Sequence, residues 1–141
     1  MLGLDVGDRR IGVALSDSLG IMASALTVIE SKEENADLNE IIALAEEYEV
    51  ERIIVGMPFS LNGSLGPQAQ KVERFTETLS QHTDIPVVTW DERFSSVDAE
   101  RVLKEAGTKR DRRKKHLDSV AAALVLQSYL DRERIKAAGL D

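Results

Sequence analysis

Two short apolar stretches at the head of the chain, residues 2–7 (LGLDVG) and 10–17 (RIGVALSD), are separated by Asp8 and Arg9 alone. A two-residue connection joins strands only in antiparallel fashion, so the segment has to form a hairpin. If Gly7 faces Arg10 across the turn, Asp5 falls opposite Gly12, Gly3 opposite Ala14, Leu4 opposite Val13 and Leu2 opposite Leu15. Alternation then puts the large aliphatic residues on one face. The other face carries one carboxylate among Gly3, Gly7, Gly12 and Ala14. A charge on a buried strand is retained when it is paired or binds a metal, so Asp5 requires partners. The glycines leave room for a metal and a bulky backbone to approach. The plainer alternative is that they serve only the hairpin twist and that Asp5 pairs with an arginine.

The rest of the chain supplies what such a hairpin packs against. A third strand is expected over 21–30. Ser31 and Glu34 match a capping box, which would open a helix with Leu38, Ile41, Ile42, Ala45 and Tyr48 on one face. Residues 52–56 read as a buried strand stopped by Pro58. Turn formers follow, then a helix over 68–81 with Val72, Phe75 and Leu79 inward. Residues 85–90 read as the next strand, and SSVDAERVLKEAG as a helix ended by Gly107. Residues 108–115 are expected to form an exposed loop, 117–131 a last helix with Leu117, Val120, Ala121, Leu124 and Val125 inward, and 132–141 a frayed tail. The 141 residues suit one domain spanning 1–141. Its class is α/β, with a mixed five-stranded sheet flanked by helices: three hairpin-connected strands, then βαβ units. This is the element order of the ribonuclease H-like fold.

Two further acids are placed to join Asp5. Asp91 and Glu92 end a central strand, where open α/β sheets build ligand crevices. Neighbouring strand residues face opposite sides, so only one joins Asp5; the longer Glu92 is the first choice and Asp91 the second. Asp118 lies in the first turn of the expected last helix, on a face that continues through Ala121, Ala122 and Val125. An acid there also suits the helix dipole, which is the bland account of it. Three carboxylates on one sheet edge offer the oxygen ligands that two hard cations, Mg²⁺ or Mn²⁺, take.

The absence of cysteine removes thiolate metal sites and thiol nucleophiles. No apolar run approaches the ~20 residues of a membrane span, and no signal-peptide pattern is present, so a cytoplasmic protein without membrane contact is expected. Net charge is −7, from 18 basic and 25 acidic residues, which opposes general attraction of nucleic acid. The run KRDRRKK at 109–115 reverses this locally, with six basic residues in seven. Lys109, Arg110, Arg112, Arg113, Lys114 and Lys115 therefore become candidate phosphate contacts, joined by Arg10 after the turn and Arg93 beside Glu92. Trp90 reads as a core-edge residue, and His82 and His116 are too far apart in sequence to suggest a metal pair. The loop over residues 56–66 precedes a helix, where it could cup a phosphate, but it has no Walker pattern.

Four ordered segments, GLDVGDRRIGVALSD, IIVGMPFSLNGSLGPQAQKVERF, TWDERFSS and KKHLDSVAAALVLQ, resemble in order and spacing the motifs of the YqgF/RuvX family. Its members are described as pre-16S ribosomal RNA nucleases and as Holliday-junction-resolvase-like. The likeness runs from about residue 2 to residue 130. It implies a ribonuclease H-like fold and a metal-dependent phosphodiesterase whose acids are Asp5, Glu92 and Asp118. It also implies 5′-end maturation of the small-subunit ribosomal RNA precursor, with pre-rRNA or ribosomal precursor particles as partners of a monomer or homodimer. Departures are mild: Phe94 and Ser96 stand where Leu and Thr are more usual, and Asp8 adds an acid to the turn. The competing functions are resolution of DNA junctions and a non-catalytic nucleic-acid or transcription module. The opening hairpin also resembles the ATP loop of the sugar kinase, Hsp70 and actin superfamily, which needs two such domains.

Overall fold

A computed structural model describes residues 1–59, 63, 65–92 and 110–139, with 110–117 described by their backbone alone. The expected helix over SSVDAERVLKEAG lies outside the described residues, as do parts of the loop over 56–66. Three antiparallel strands, β1 (Leu2–Val6), β2 (Arg10–Ser16) and β3 (Ala23–Glu30), are followed by α1 (Glu34–Glu47), β4 (Ile53–Met57), α2 (Pro67–His82) and β5 (Val87–Asp91). The last described element, α3, is a long helix over Arg110–Ala137. The strands form one mixed sheet in the order β3-β2-β1-β4-β5, with β4 parallel to both β1 and β5.

The hairpin register follows the turn arithmetic: Leu2 pairs with Leu15, Gly3 with Ala14, Leu4 with Val13 and Asp5 with Gly12. The Gly7 N–H donates to the Arg10 carbonyl at 2.9 Å and closes the turn. Strand alternation divides the apolar residues between two cores. On one face Leu2, Leu4, Ile11, Val13, Ile29, Ile53, Val55 and Met57 pack under Leu38, Ile41 and Ala45 of α1 and Ala69, Val72 and Leu79 of α2. On the other, Ala14 and Ile54 meet Ala122, Val125, Leu126, Tyr129 and Leu130 of α3. Phe75 and Ile42 are half-buried at the margin of the first core, whereas Tyr48 is 43% exposed and leaves the expected helix face.

Three local expectations are corrected. Helix α1 has Glu33 at its N-cap with no side-chain cap, so Ser31 and Glu34 form no capping box. Asp37 reaches back instead, its carboxylate accepting from the Ser31 hydroxyl at 2.6 Å and the Lys32 N–H at 3.1 Å. Residues 110–115 are not a loop but the opening of α3, which also carries residues 132–137 of the expected tail as helix. Arginine and lysine are good helix formers, so a dense charge run does not by itself break a helix. The buried face of α3 is rotated from the expected one. Val125 is buried as expected, with Ser119, Ala122, Leu126 and Leu130, while Val120, Ala121 and Leu124 are half-buried and the Leu117 side chain lies outside the described residues. Among the described residues no helix is long and apolar enough to cross a membrane.

Candidate active site

Around Asp5 the face of the sheet under α3 is made by small residues. A Cβ on Gly12 would lie 1.8 Å from the Asp118 carbonyl oxygen, and one on Gly3 would lie 2.8 Å from the Leu126 Cβ. A Cβ on Gly56 would come within 3.1 Å of Val125. The backbone that uses the space around Asp5 is therefore the chain's own, and α3 lies directly on β1, β2 and β4 there. Gly12 seats the main chain at Asp118 beside the pairing partner of Asp5. Asp118 enters the site about two turns inside the helix rather than in its first turn. The dipole account fails at that depth, because the effect fades within the first turn.

Alternation also decides between the two acids at the end of β5. Val88 and Trp90 lie on the α3 side, so Glu92 continues the face that carries Asp5, and Asp91 ends the strand opposite Met57. Asp5 and Glu92 meet through a hydrogen bond between their carboxyl groups. Burial, the charge of Glu92 and this bond together push the Asp5 carboxyl up to about 8. Asp118 is raised as well, first by burial and then by the charge of Asp5, with Arg10 acting in the opposite direction. The guanidinium Nη1 of Arg10 stands 3.8 Å from Asp118 Oδ2. Sheet order places Asp118, over β2, on one flank of Asp5 and Glu92, after β5, on the other.

The cluster thus has three carboxylates and a shortage of positive charge. Among the described residues no three acidic or histidine side chains are placed, as they stand, to hold a metal ion, so the three acids would have to draw together around one. Hard oxygen donors of this kind suit Mg²⁺ or Mn²⁺, and the raised pKa of Asp5 marks a place where added positive charge is favourable. The donor chemistry fits divalent cations, and Asp5, Glu92 and Asp118 are the residues that could hold them.

The other candidates are distributed unevenly. Arg10 joins the cluster. Arg93 and Lys109 lie outside the described residues, as do the side chains of Arg110, Arg112, Arg113, Lys114, Lys115 and His116. Trp90 is a core-edge residue: its indole N–H donates to the Ser128 hydroxyl at 3.0 Å and its ring meets Tyr129 edge-on, with centroids 5.6 Å apart. Asp8 turns away from the cluster's acids toward Lys71 of α2, at 3.6 Å. Sequence reasoning missed Gln127, whose side-chain amide accepts from the Ala23 N–H and donates to the Ile21 carbonyl, each at 2.8 Å. It ties the β2–β3 connection to α3, and a polar residue inside an apolar helical pattern was the available signal.

The family model described as "RuvX: Holliday junction resolvase" matches residues 1–132. A protein of Halothermothrix orenii named "Putative pre-16S rRNA nuclease" is 53% identical over 131 residues, covering 93% of this chain and 94% of the relative. One of Desulforamulus reducens with the same name is 50% identical, covering 93% and 96%. Among solved structures, Thermus thermophilus RuvC in complex with a Holliday junction substrate superposes with a TM-score of 0.58 at 13% identity, covering 99% of this chain and 96% of that one. The Fowlpox virus resolvase in its junction complex gives 0.54 at 14% identity, covering 94% and 99%. These similarities establish the ribonuclease H-like fold.

Proposed function

This chain belongs to the RuvX family and is a nuclease, and from that premise we propose that Asp5, Glu92 and Asp118 are the acids with which it hydrolyses phosphodiester bonds in the 5′-end processing of pre-16S ribosomal RNA. The observation that carries this reading is the meeting of Asp5 and Glu92 at the carboxyl ends of two strands, with Asp118 of α3 close enough to feel the charge of Asp5, in a fold shared with resolvases. The pre-rRNA substrate rests on the names of relatives about half identical over nearly their whole length.

When bound, divalent cations supply Lewis acidity and neutralising charge for phosphoryl transfer to water. Asp5 would be the central ligand, since it faces Glu92 on one flank and Asp118 on the other. Without a cation its carboxyl keeps a proton at neutral pH and is hydrogen-bonded to Glu92. To hold a cation, Asp5 would have to give up that proton. Helix α3 packs closely over Gly3, Gly12 and Gly56 on the inner side of the cluster. The basic run 109–115 and Arg93 contribute phosphate contacts along the strand.

The deciding experiment incubates the protein with Mn²⁺ and, separately, precursor 16S rRNA, unrelated single-stranded RNA and a synthetic four-way junction. Cleavage of the precursor near the mature 5′ end is expected, and Asp5→Asn should abolish it while leaving the fold intact. Cutting of the junction alone would move the substrate to DNA. Wild-type cleavage by Asp5→Asn at saturating Mn²⁺ would refute the assignment of Asp5.

A further inference from the structure

We propose that Arg10 is a charge placeholder: in the cation-free protein it occupies Asp118, and cation binding releases it to a phosphate of the substrate strand. The inference rests on the reading of Asp5, Glu92 and Asp118 as cation ligands.

Two contacts fix Asp118 to β2, and they do different things. The main chain is located by Gly12, where the helix backbone fills the space of a missing Cβ. The side chain meets Arg10 at 3.8 Å, too long for a direct hydrogen bond. The position of Asp118 therefore does not depend on Arg10, and what Arg10 supplies is charge. It offsets part of the charge on one carboxylate of a cluster whose acids, as they stand, are not placed to hold a metal ion. A cation that takes the Asp118 oxygen has to compete with that guanidinium.

Both partners are accessible, with side chains 30% and 27% exposed, so exchange requires no unfolding. Arg10 begins β2 at the turn, and its side chain lies on the same sheet face as Gly12 and Asp5. Once displaced, the guanidinium stays beside the cluster. Its planar fork matches the paired oxygens of a phosphodiester better than any ammonium would. Cation and substrate would then bind with positive coupling, because the first ligand frees the group that holds the second.

The test needs no turnover. Calorimetric Mn²⁺ titration of the nucleic-acid-free protein should show R10Q binding about threefold more tightly than wild type, as loss of an exposed competing pair allows. R10K, which keeps the charge, should stay within about twofold of wild type. Fluorescence anisotropy of a labelled single-stranded RNA, with Ca²⁺ in place of Mn²⁺, should show a cation-dependent gain in affinity in wild type. That gain should shrink at least threefold in R10Q and in R10K, which lacks the fork. Mn²⁺ affinity in R10Q equal to or weaker than wild type would overturn the placeholder role and make Arg10 a structural support. An undiminished RNA gain in both variants would overturn the handover. Wild-type protein that binds no Mn²⁺ would sink the cation-site reading itself, and the placeholder with it.

Discussion

The two faces of the sheet are built on opposite rules. Under α1 and α2, the strands present Leu2, Leu4, Val13, Ile53 and Val55, and contact is made by large side chains filling volume. Under α3, the same strands present Gly3, Asp5, Gly12, Ala14 and Gly56 beside Ile54, and the helix comes in close where side chains are missing, down to its main chain at Gly12. The first face tolerates loss of volume at an energetic cost. The second tolerates least addition at Gly12, where the partner is main chain that cannot rotate aside; at Gly3 and Gly56 the nearest atoms belong to the Leu126 and Val125 side chains. Close backbone approach is what brings Asp118, carried on a helix more than one hundred residues away in sequence, beside Asp5.

Substitutions at Gly12 should break this contrast most strongly. Gly12→Ala puts a Cβ 1.8 Å from the Asp118 carbonyl oxygen, so α3 must lift from β2. The loss, read by urea denaturation, should exceed the ~1–3 kcal/mol usual for overpacking, and cleavage should vanish with it. Wild-type stability in this variant would show that the helix is not seated where Gly12 requires. Leu4→Ala, one residue from Asp5 but facing the other way, should cost about 2–5 kcal/mol by opening a cavity. Cleavage measured below its melting temperature should nonetheless persist, and a dead but folded Leu4→Ala would mean that the faces are not independent.

A third, smaller effect separates the faces by pH. The folded-state Asp5 carboxyl titrates at about 8, above the ~3.9 of an unfolded aspartate. Folding therefore favours its protonated form. The associated stability is fully present below about pH 4 and is lost as pH rises through about 8. Asp5→Asn cannot ionise, so its melting temperature in the presence of EDTA should pull ahead of wild type between pH 5 and pH 9, by roughly 3–8 °C. Mn²⁺ should close the gap by stabilising wild type alone. Parallel melting curves across that range would argue that Asp5 is not held against other negative charge. The smallest effect belongs to the basic run. Neutralising Lys109, Arg110, Arg112 and Arg113 together should lower the slope of log affinity for single-stranded RNA against log salt by about 0.7 per lost phosphate contact. An unchanged slope would exclude this segment from the interface.

The amino-acid pattern alone specified the hairpin and its register, since a two-residue turn admits one pairing and strand alternation does the rest. It also specified the parallel strands and α2, whose apolar runs are bounded by proline and turn residues. It singled out Asp5, because a carboxylate on an otherwise apolar strand demands partners. Local pattern failed where the partner was distant or the signal ambiguous. Ser31 and Glu34 resemble a cap, yet Asp37 takes the Ser31 hydroxyl. The charges of 110–115 resemble a loop, yet their backbone is helical. Tertiary structure alone decided that Gly12 exists to receive the α3 backbone, that Glu92 rather than Asp91 meets Asp5, and that Arg10 stands at Asp118. Each of these is a contact between segments far apart along the chain, and periodicity carries information about which face a residue occupies but none about which distant backbone will come to lie on it.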